Sequence, residues 1–516
     1  MTEKKTSLLR SRKWLAAAGL LAGAGTVALL ALTGGAAQTA AYDFNGDSIP
    51  DFTVGIPGDT VGGSAEAGSV LIADGTLTGP ASSASLLNQD STGVPGAAEE
   101  KDAFGQVLAS GDFDGDGYAD LAVGAPVEAI GTTEGAGFLT VHYGTSSGLS
   151  STRIDSFHED TTGIPGTVVK DEFFAYALAA GDLNGDGHDD LAIGQPMDAV
   201  DGKPNAGSLR LLFGSADGLT ATSAIWIDQG TPNVPGGPET DDRFGEQLTI
   251  GDINGDGTDD LVAATLGEQI TGSSDRGSTV VMYGPVNDAP ASGDYIASKY
   301  LDGVTEFSGS ALAVGRFNED PYLDIAIGVA DQKVGEDGAA GRLAIVYGSA
   351  DGVSHDNVEL FDQGTPGVPG GPEPEDYFAS SLAAGDFDGD GVDDLIVGMR
   401  SEAIGTATGS GAALVLFGNA TGGISTTGRV WVDQDVEGVP GVVAKHDHFG
   451  WTVGALDTDG DGRVEPLIGA PGNAAGTVTV LKVSPGTLES ATAYAEADFG
   501  LATGSHGDAF GIALPR

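Results

Sequence analysis

Residues Gly111–Pro126 read "GDFDGDGYADLAVGAP". Asp112, Asp114, Asp116 and Asp120 place four carboxylates within nine positions, and an apolar run follows at once. Like charges this close repel one another, so the stretch asks for a counter-charge. Asp at positions 1, 3 and 5, Gly at position 6 and a carboxylate at position 9 are the pattern of a loop folded round a hard cation. Alternate residues turn oxygens inward, the glycine permits a sharp bend, and the backbone carbonyl at position 7 adds a ligand. Ca²⁺ accepts roughly six to eight such oxygens, whereas Mg²⁺ demands a tighter octahedron. No Glu stands at position 12, and the flanks read as strands, which sets the loop apart from an EF-hand.

The stretch recurs at a period of about 70 residues, with loops starting at 43, 112, 182, 252, 316, 386 and 457. Besides the first-quoted loop, the candidate ligands are Asp43, Asn45, Asp47 and Asp51; Asp182, Asn184, Asp186 and Asp190; and Asp252, Asn254, Asp256 and Asp260. They continue with Asp386, Asp388, Asp390 and Asp394, and with Asp457, Asp459, Asp461 and Glu465. In the fifth copy Arg316 replaces the first Asp and Asn318 stands at position 3. A guanidinium there repels a cation and is free to pair with Asp320 or Asp324. Six Ca²⁺ sites are therefore expected, with the Arg316 loop empty.

Each copy has the same parts. A Phe-led segment such as "FGQVLAS" precedes the loop, a Val/Ile-rich run such as "DLAVG" follows it, and segments like "GFLTVHYG" and "RIDSFHED" come next. Short apolar runs bounded by Gly and Asp suit buried strands joined by hairpins. Seven copies of four strands, with no helical periodicity, predict an all-β fold: a seven-bladed β-propeller of four-stranded blades spanning 42–516. The first copy lacks its Phe-led strand, and "FGIALPR" (Phe510–Arg516) supplies one. The C-terminal strand is expected to complete the N-terminal blade and close the ring.

Residues 1–41 read as a signal peptide. A basic head precedes the uncharged "WLAAAGLLAGAGTVALLALTGG", and small residues "AAQTAA" follow, with cleavage expected at about 39–41. The alternative is an uncleaved anchor, since the run approaches a span of the bilayer. The body is expected outside the cell, secreted, without a stable membrane anchor after cleavage, and as a monomer. The chain has no Cys and a net charge of −53, and five of its 22 bases lie in the first thirteen residues. That balance argues against nucleic acid and anionic membranes as partners. It leaves divalent cations, cationic partners and neutral ligands.

These features resemble the FG-GAP repeat propeller of integrin α-subunits. "FG" stands at Phe104-Gly105, Phe244-Gly245, Phe449-Gly450 and Phe510-Gly511. "GAP" stands at Gly124–Pro126 and Gly469–Pro471, with "GIP" at Gly55–Pro57 and "GQP" at Gly194–Pro196. The resemblance implies calcium in the strand 1–2 loops of the blades and ligands on the opposite face. The chain departs from integrins in lacking leg domains and a C-terminal transmembrane helix, and in carrying calcium-type loops in nearly every blade.

Two function classes follow. One is an extracellular binding or adhesion module for carbohydrate or a surface protein. The other is an extracellular enzyme, a polysaccharide lyase or hydrolase, with its site at the central funnel. Fold alone does not decide between them. No Ser-His-Asp, zinc or phosphate-loop signature stands out, which favours binding and leaves catalysis without named residues. Where a repeat breaks its own rule, function is sought first. Arg276, Lys299, Arg316, Lys333 and Arg342 cluster in the irregular fourth and fifth repeats, and "KHDHF" holds His446 and His448. Gly-Val/Ile-Pro-Gly turns and a carboxylate two residues before each Phe recur, and both read as structural.

Overall fold

A computed structural model describes residues 41–269, 276–301, 304, 309–473, 476–501 and 510–515. The expected signal peptide lies outside the described residues save for Ala41. Seven antiparallel sheets follow one another along the chain, each with its strands in sequence order. In the second, Val107–Gly111, Asp120–Ala125, Phe138–His142 and Ile154–Phe157 pair in turn. Six sheets have four strands and the first has three: Phe52–Ile56, Ser69–Ala73 and Ser85–Leu87. Together they form the blades of a seven-bladed β-propeller.

The strand that follows the acidic loop opens on the carboxylate at position 9 and then runs apolar, because it is covered on both faces. Asp120–Ala125 and its counterparts Asp190–Gln195 and Asp394–Met399 are buried throughout. The outer strands alternate or lie half-exposed, as in Thr220–Ile227. Core clusters straddle the seams between blades. One joins Leu467 and Val478 of the last blade, Phe52 and Val70 of the first, and Leu121 and Val123 of the second. Phe52 also stacks on Phe499, with ring centroids 5.8 Å apart.

The FG residues are seam residues. Phe104, Phe174, Phe244, Phe378 and Phe449 are wholly buried. Each donates its N–H to the preceding blade just before that blade's third strand, as Phe174 does to the Ala136 carbonyl at 3.0 Å. Gly137 follows Ala136 at φ +89°, and a Cβ there would collide with the Phe174 carbonyl oxygen. Only glycine combines that conformation with so close a backbone approach. The carboxylate two residues before the Phe caps its own turn: Asp102 Oδ2 accepts from Glu99 N–H at 2.5 Å, and Asp376 Oδ2 from Glu373 N–H at 2.6 Å.

In the first blade the place beside Phe52–Ile56 is met by the C-terminal segment. Gly55 N–H donates to the Ala513 carbonyl at 2.9 Å, the one ladder contact between them, while Ala455 N–H on the seventh blade donates to Pro515 at 3.1 Å.

His142 is the buried titratable base of the second blade, 1% exposed, with Nε2 3.0 Å from Thr140 Oγ1. Burial pushes its pKa down to about 4. A depressed histidine favours the folded state while neutral, so stability is lost as pH falls from the unfolded value near 6.5 towards 4. Denaturant unfolding of His142→Asn and wild type should show the mutant's deficit at pH 7 shrinking by about 2–3 kcal/mol at pH 4.5. A deficit that does not change with pH would refute the assignment.

Candidate metal loops

Six of the acidic loops are hairpins between the first and second strands of their blades, and the loop starting at Asp43 leads into Phe52–Ile56 at the matching place. Position 1 organises the loop. Asp182 Oδ1 accepts from Gly185 and Asp186 N–H at 2.7 and 3.1 Å, and its Oδ2 from Gly187 N–H at 2.9 Å. Asp43, Asp252, Asp386 and Asp457 accept from the same loop positions. Position 5 closes a smaller turn: Asp116 Oδ1 takes Tyr118 N–H, and Asp47, Asp256, Asp390 and Asp461 repeat the bond. A glycine at positive φ follows at position 4 in each of these loops, as Gly115 at +67° shows.

Position 9 has a second task that the loop pattern alone did not reveal. Asp120 is wholly buried. Its Oδ2 accepts from Phe113 N–H at 2.9 Å and its Oδ1 from Gly144 N–H, beyond the third strand, at 2.8 Å. Asp51, Asp190, Asp260, Asp324 and Asp394 make the same pair of bonds. Burial, outweighing those bonds, pushes Asp120, Asp190 and Asp394 up to about 8 and Asp51 and Asp260 up to about 7. The signal was in the sequence, because Asp324 is kept in the very loop where Arg316 replaces the first Asp.

Three loops bring carboxylates to one point. Oxygens of Asp112, Asp114 and Asp120 lie within 4.8 Å of one another, as do those of Asp386, Asp388 and Asp394, and those of Asp457, Asp459 and Glu465. These are the loops with a carboxylate at position 3. In the loops starting at 43, 182 and 252 that position is Asn45, Asn184 or Asn254, and Asn45 and Asn184 donate Nδ2 to Asp51 and Asp190. The donor set is all oxygen, hard and anionic, which fits Ca²⁺.

Two loops carry an internal cation that sequence reasoning missed. Lys482 Nζ lies 2.7 Å from Asp459, 2.9 Å from Asp461 and 3.3 Å from Glu465. Its neighbouring carboxylates raise its pKa further although partial burial opposes them. Arg153 pairs with Asp114 from the fourth strand of the same blade. Both bases stand far from their loops in sequence and are brought there by strand pairing. Arg316 is exposed and makes neither of the two ion pairs open to it. Asp320 is engaged by Tyr322 N–H and Asp324 by the backbone, while Arg316 N–H itself bonds Asp393 at 2.7 Å. Of the basic cluster of the fourth and fifth repeats, Lys333 pairs with Glu336 and Arg342 with Asp362, while Arg276 and Arg316 are exposed. His446 is exposed, and His448 Nδ1 lies 3.0 Å from the Arg400 carbonyl oxygen.

The comparisons agree with this architecture. The FG-GAP repeat model matches residues 104–142, 174–212, 244–282 and 378–416, each running from the seam Phe through the acidic loop into the third strand. Human phosphatidylinositol-glycan-specific phospholipase D is 32% identical over 177 residues, 34% of this chain and 20% of that protein. Integrin alpha-PS2 of Drosophila melanogaster is 29% identical over 248 residues, 46% of this chain and 16% of that protein. The chain thus spans about a fifth or less of the length of these relatives. A periplasmic gluconolactonase of Pseudomonas aeruginosa aligns over 86% of this chain and 95% of its own at TM-score 0.43 and 13% identity, too distant to inform the site. No helix among the described residues is long and apolar enough to cross a membrane. The four matched FG-GAP repeats and the similarity to integrin α-subunits support an FG-GAP, integrin α-like β-propeller family for this chain.

Proposed function

We propose that the chain is an extracellular binding module whose propeller is braced by Ca²⁺ in six of its seven acidic loops, and whose ligand engages the opposite end of the strands. The observation that carries the calcium reading is the convergence of Asp112, Asp114 and Asp120, repeated by Asp386, Asp388 and Asp394. In each of the six loops the side chains at positions 1, 3, 5 and 9 would hold the ion. What Ca²⁺ would supply is charge neutralisation among buried carboxylates, so that the hairpin and the third strand are held as one unit. The loop at Asp457 is the weakest of the six, because Lys482 must leave it first. Binding is favoured over catalysis by the similarity to integrin α-subunits. Export rests on the sequence of residues 1–41. Closure of the ring by Phe510–Arg516 rests on the Gly55–Ala513 contact.

Calcium counting on the mature protein should give about six ions, and excess chelator should lower the thermal midpoint sharply. At ligand concentrations tenfold above Kd, each ion adds about 1.4 kcal/mol. One ion or none, with no shift, would refute the calcium reading. Lys482→Met should tighten calcium binding at the seventh loop while leaving the other five unchanged. Asp324→Ala separates the two tasks of position 9. It strands two buried N–H groups and should cost about 2–3 kcal/mol in denaturant unfolding without changing the calcium count, whereas Asp114→Asn should lower calcium affinity at its own loop.

A further inference from the structure

The first strands of the six four-stranded blades, with Ile512–Leu514, line a central channel of about 840 Å³ that reaches from Tyr42, beside the acidic loops, to Arg400 and Trp451. Leu108, Leu178 and Leu312 line it together with the polar side chains of Ser110, Gln247, Thr249, Ser310 and Ser380. At the mouth away from the acidic loops, the residues next to the seam Phe do not repeat. The position before it is Ala103, Phe173, Arg243, Tyr377 or His448, and in all five the backbone is held at φ between +54° and +57°. Non-glycine residues adopt that region rarely, and it is kept where the fold aims a side chain.

On the sixth and seventh blades this rim gathers aromatic rings round one guanidinium. The Arg400 guanidinium carbon lies 4.0 Å over the Tyr377 ring and 5.7 Å from the Trp451 ring. His448 packs edge-on to Trp451, centroids 5.3 Å apart, and fixes the Arg400 backbone through its carbonyl. Trp451 remains 38% exposed. The other rim arginine, Arg243, has a carboxylate 3.5 Å away at Glu246. Arg400 has no carboxylate or hydrogen-bond partner for its guanidinium among the described residues, in a chain of net charge −53.

We propose that Arg400 and Trp451 form a subsite for a carboxylate-bearing sugar ring of the uronate type. An indole face takes the C–H face of a pyranose, and a planar guanidinium held by stacking takes a carboxylate through two parallel hydrogen bonds. A single rigid unit presenting both an apolar face and one carboxylate matches the pair. This assignment rests on the reading of the chain as a binding module, and it names that module's ligand class.

The test is calorimetric titration of the calcium-loaded protein with a trigalacturonate oligomer, with its carboxyl-reduced neutral counterpart, and with an acidic peptide. The uronate oligomer should bind at least tenfold more tightly than either of the others. Arg400→Gln should lose at least tenfold for the uronate and leave the neutral oligomer unchanged, Arg400→Lys should restore part of the loss, and Trp451→Ala should weaken both saccharides. No binding at millimolar uronate, equal binding of the neutral oligomer, or tighter binding of the peptide would overturn the proposal. Calcium count and thermal midpoint, measured on the same samples, show whether the variants are folded. A normal calcium response without saccharide binding would sink this subsite and leave the calcium-braced module standing.

Discussion

The two-armed buried carboxylate at position 9 is the joint on which each blade turns. A carboxylate taken from water is costly unless its oxygens are satisfied. Asp120 meets that demand by accepting one N–H from the loop before it and another from beyond the third strand. Three strands are thereby fixed to one side chain, and the loop's open side is left to the carboxylates at positions 1 and 3. The acidic loop is therefore a structural clasp in its own right. The fifth blade shows this most plainly: Asp324 keeps both bonds although Arg316 stands at position 1.

The seams between blades obey a second constraint, close backbone approach. The seam Phe is buried against the blade before it, and the glycine that opens that blade's third strand has no room for a Cβ. The seam Phe and the glycine before the third strand therefore set the distance between blades, while the residue preceding the Phe is free to differ. That freedom is why Tyr377, His448 and Trp451 gather on one side while the positions before the other seam Phe residues are Ala103, Phe173 and Arg243. A repeat fold fixes its seams and varies its rim, and the rim is where a single cation without a counter-ion can persist.

Much of this was legible in the sequence because it is written in local periodicity. The seven acidic loops, the four strands per copy and the seam Phe each announce themselves by spacing, and Asn45, Asn184 and Asn254 mark the loops with one carboxylate fewer. What was not legible depends on strand pairing across the blade. Lys482 sits 17 residues after Glu465, and Arg153 39 residues after Asp114, so neither belongs to a loop until the third and fourth strands fold back. Arg400 and Trp451 are further apart still, on different blades. Closeness in sequence did not tell which bases of the fourth and fifth repeats are paired: Lys333 and Arg342 meet Glu336 and Asp362, each within its own blade.

The loops are not independent of one another. The carbonyl of position 1 accepts from the residue at position 8 of the next loop: Asp43 from Ala119 at 3.0 Å, Asp112 from Asp189 at 3.1 Å, Asp182 from Asp259 at 3.1 Å and Arg316 from Asp393 at 2.8 Å. Asp252 and Asp386 join Leu323 and Val464 in the same way. The chain of contacts stops between the last loop and the first, where position 8 is Pro50, which has no N–H to give. Repeat folds gain stability from nearest-neighbour interfaces, and here each interface includes a direct bond between candidate ion sites. Ordering one loop fixes the residue that its neighbour's first ligand leans on, so order passes from blade to blade and meets its weak link at Pro50. At the same junction Phe52 of the first blade stacks on Phe499, beyond the last strand of the seventh.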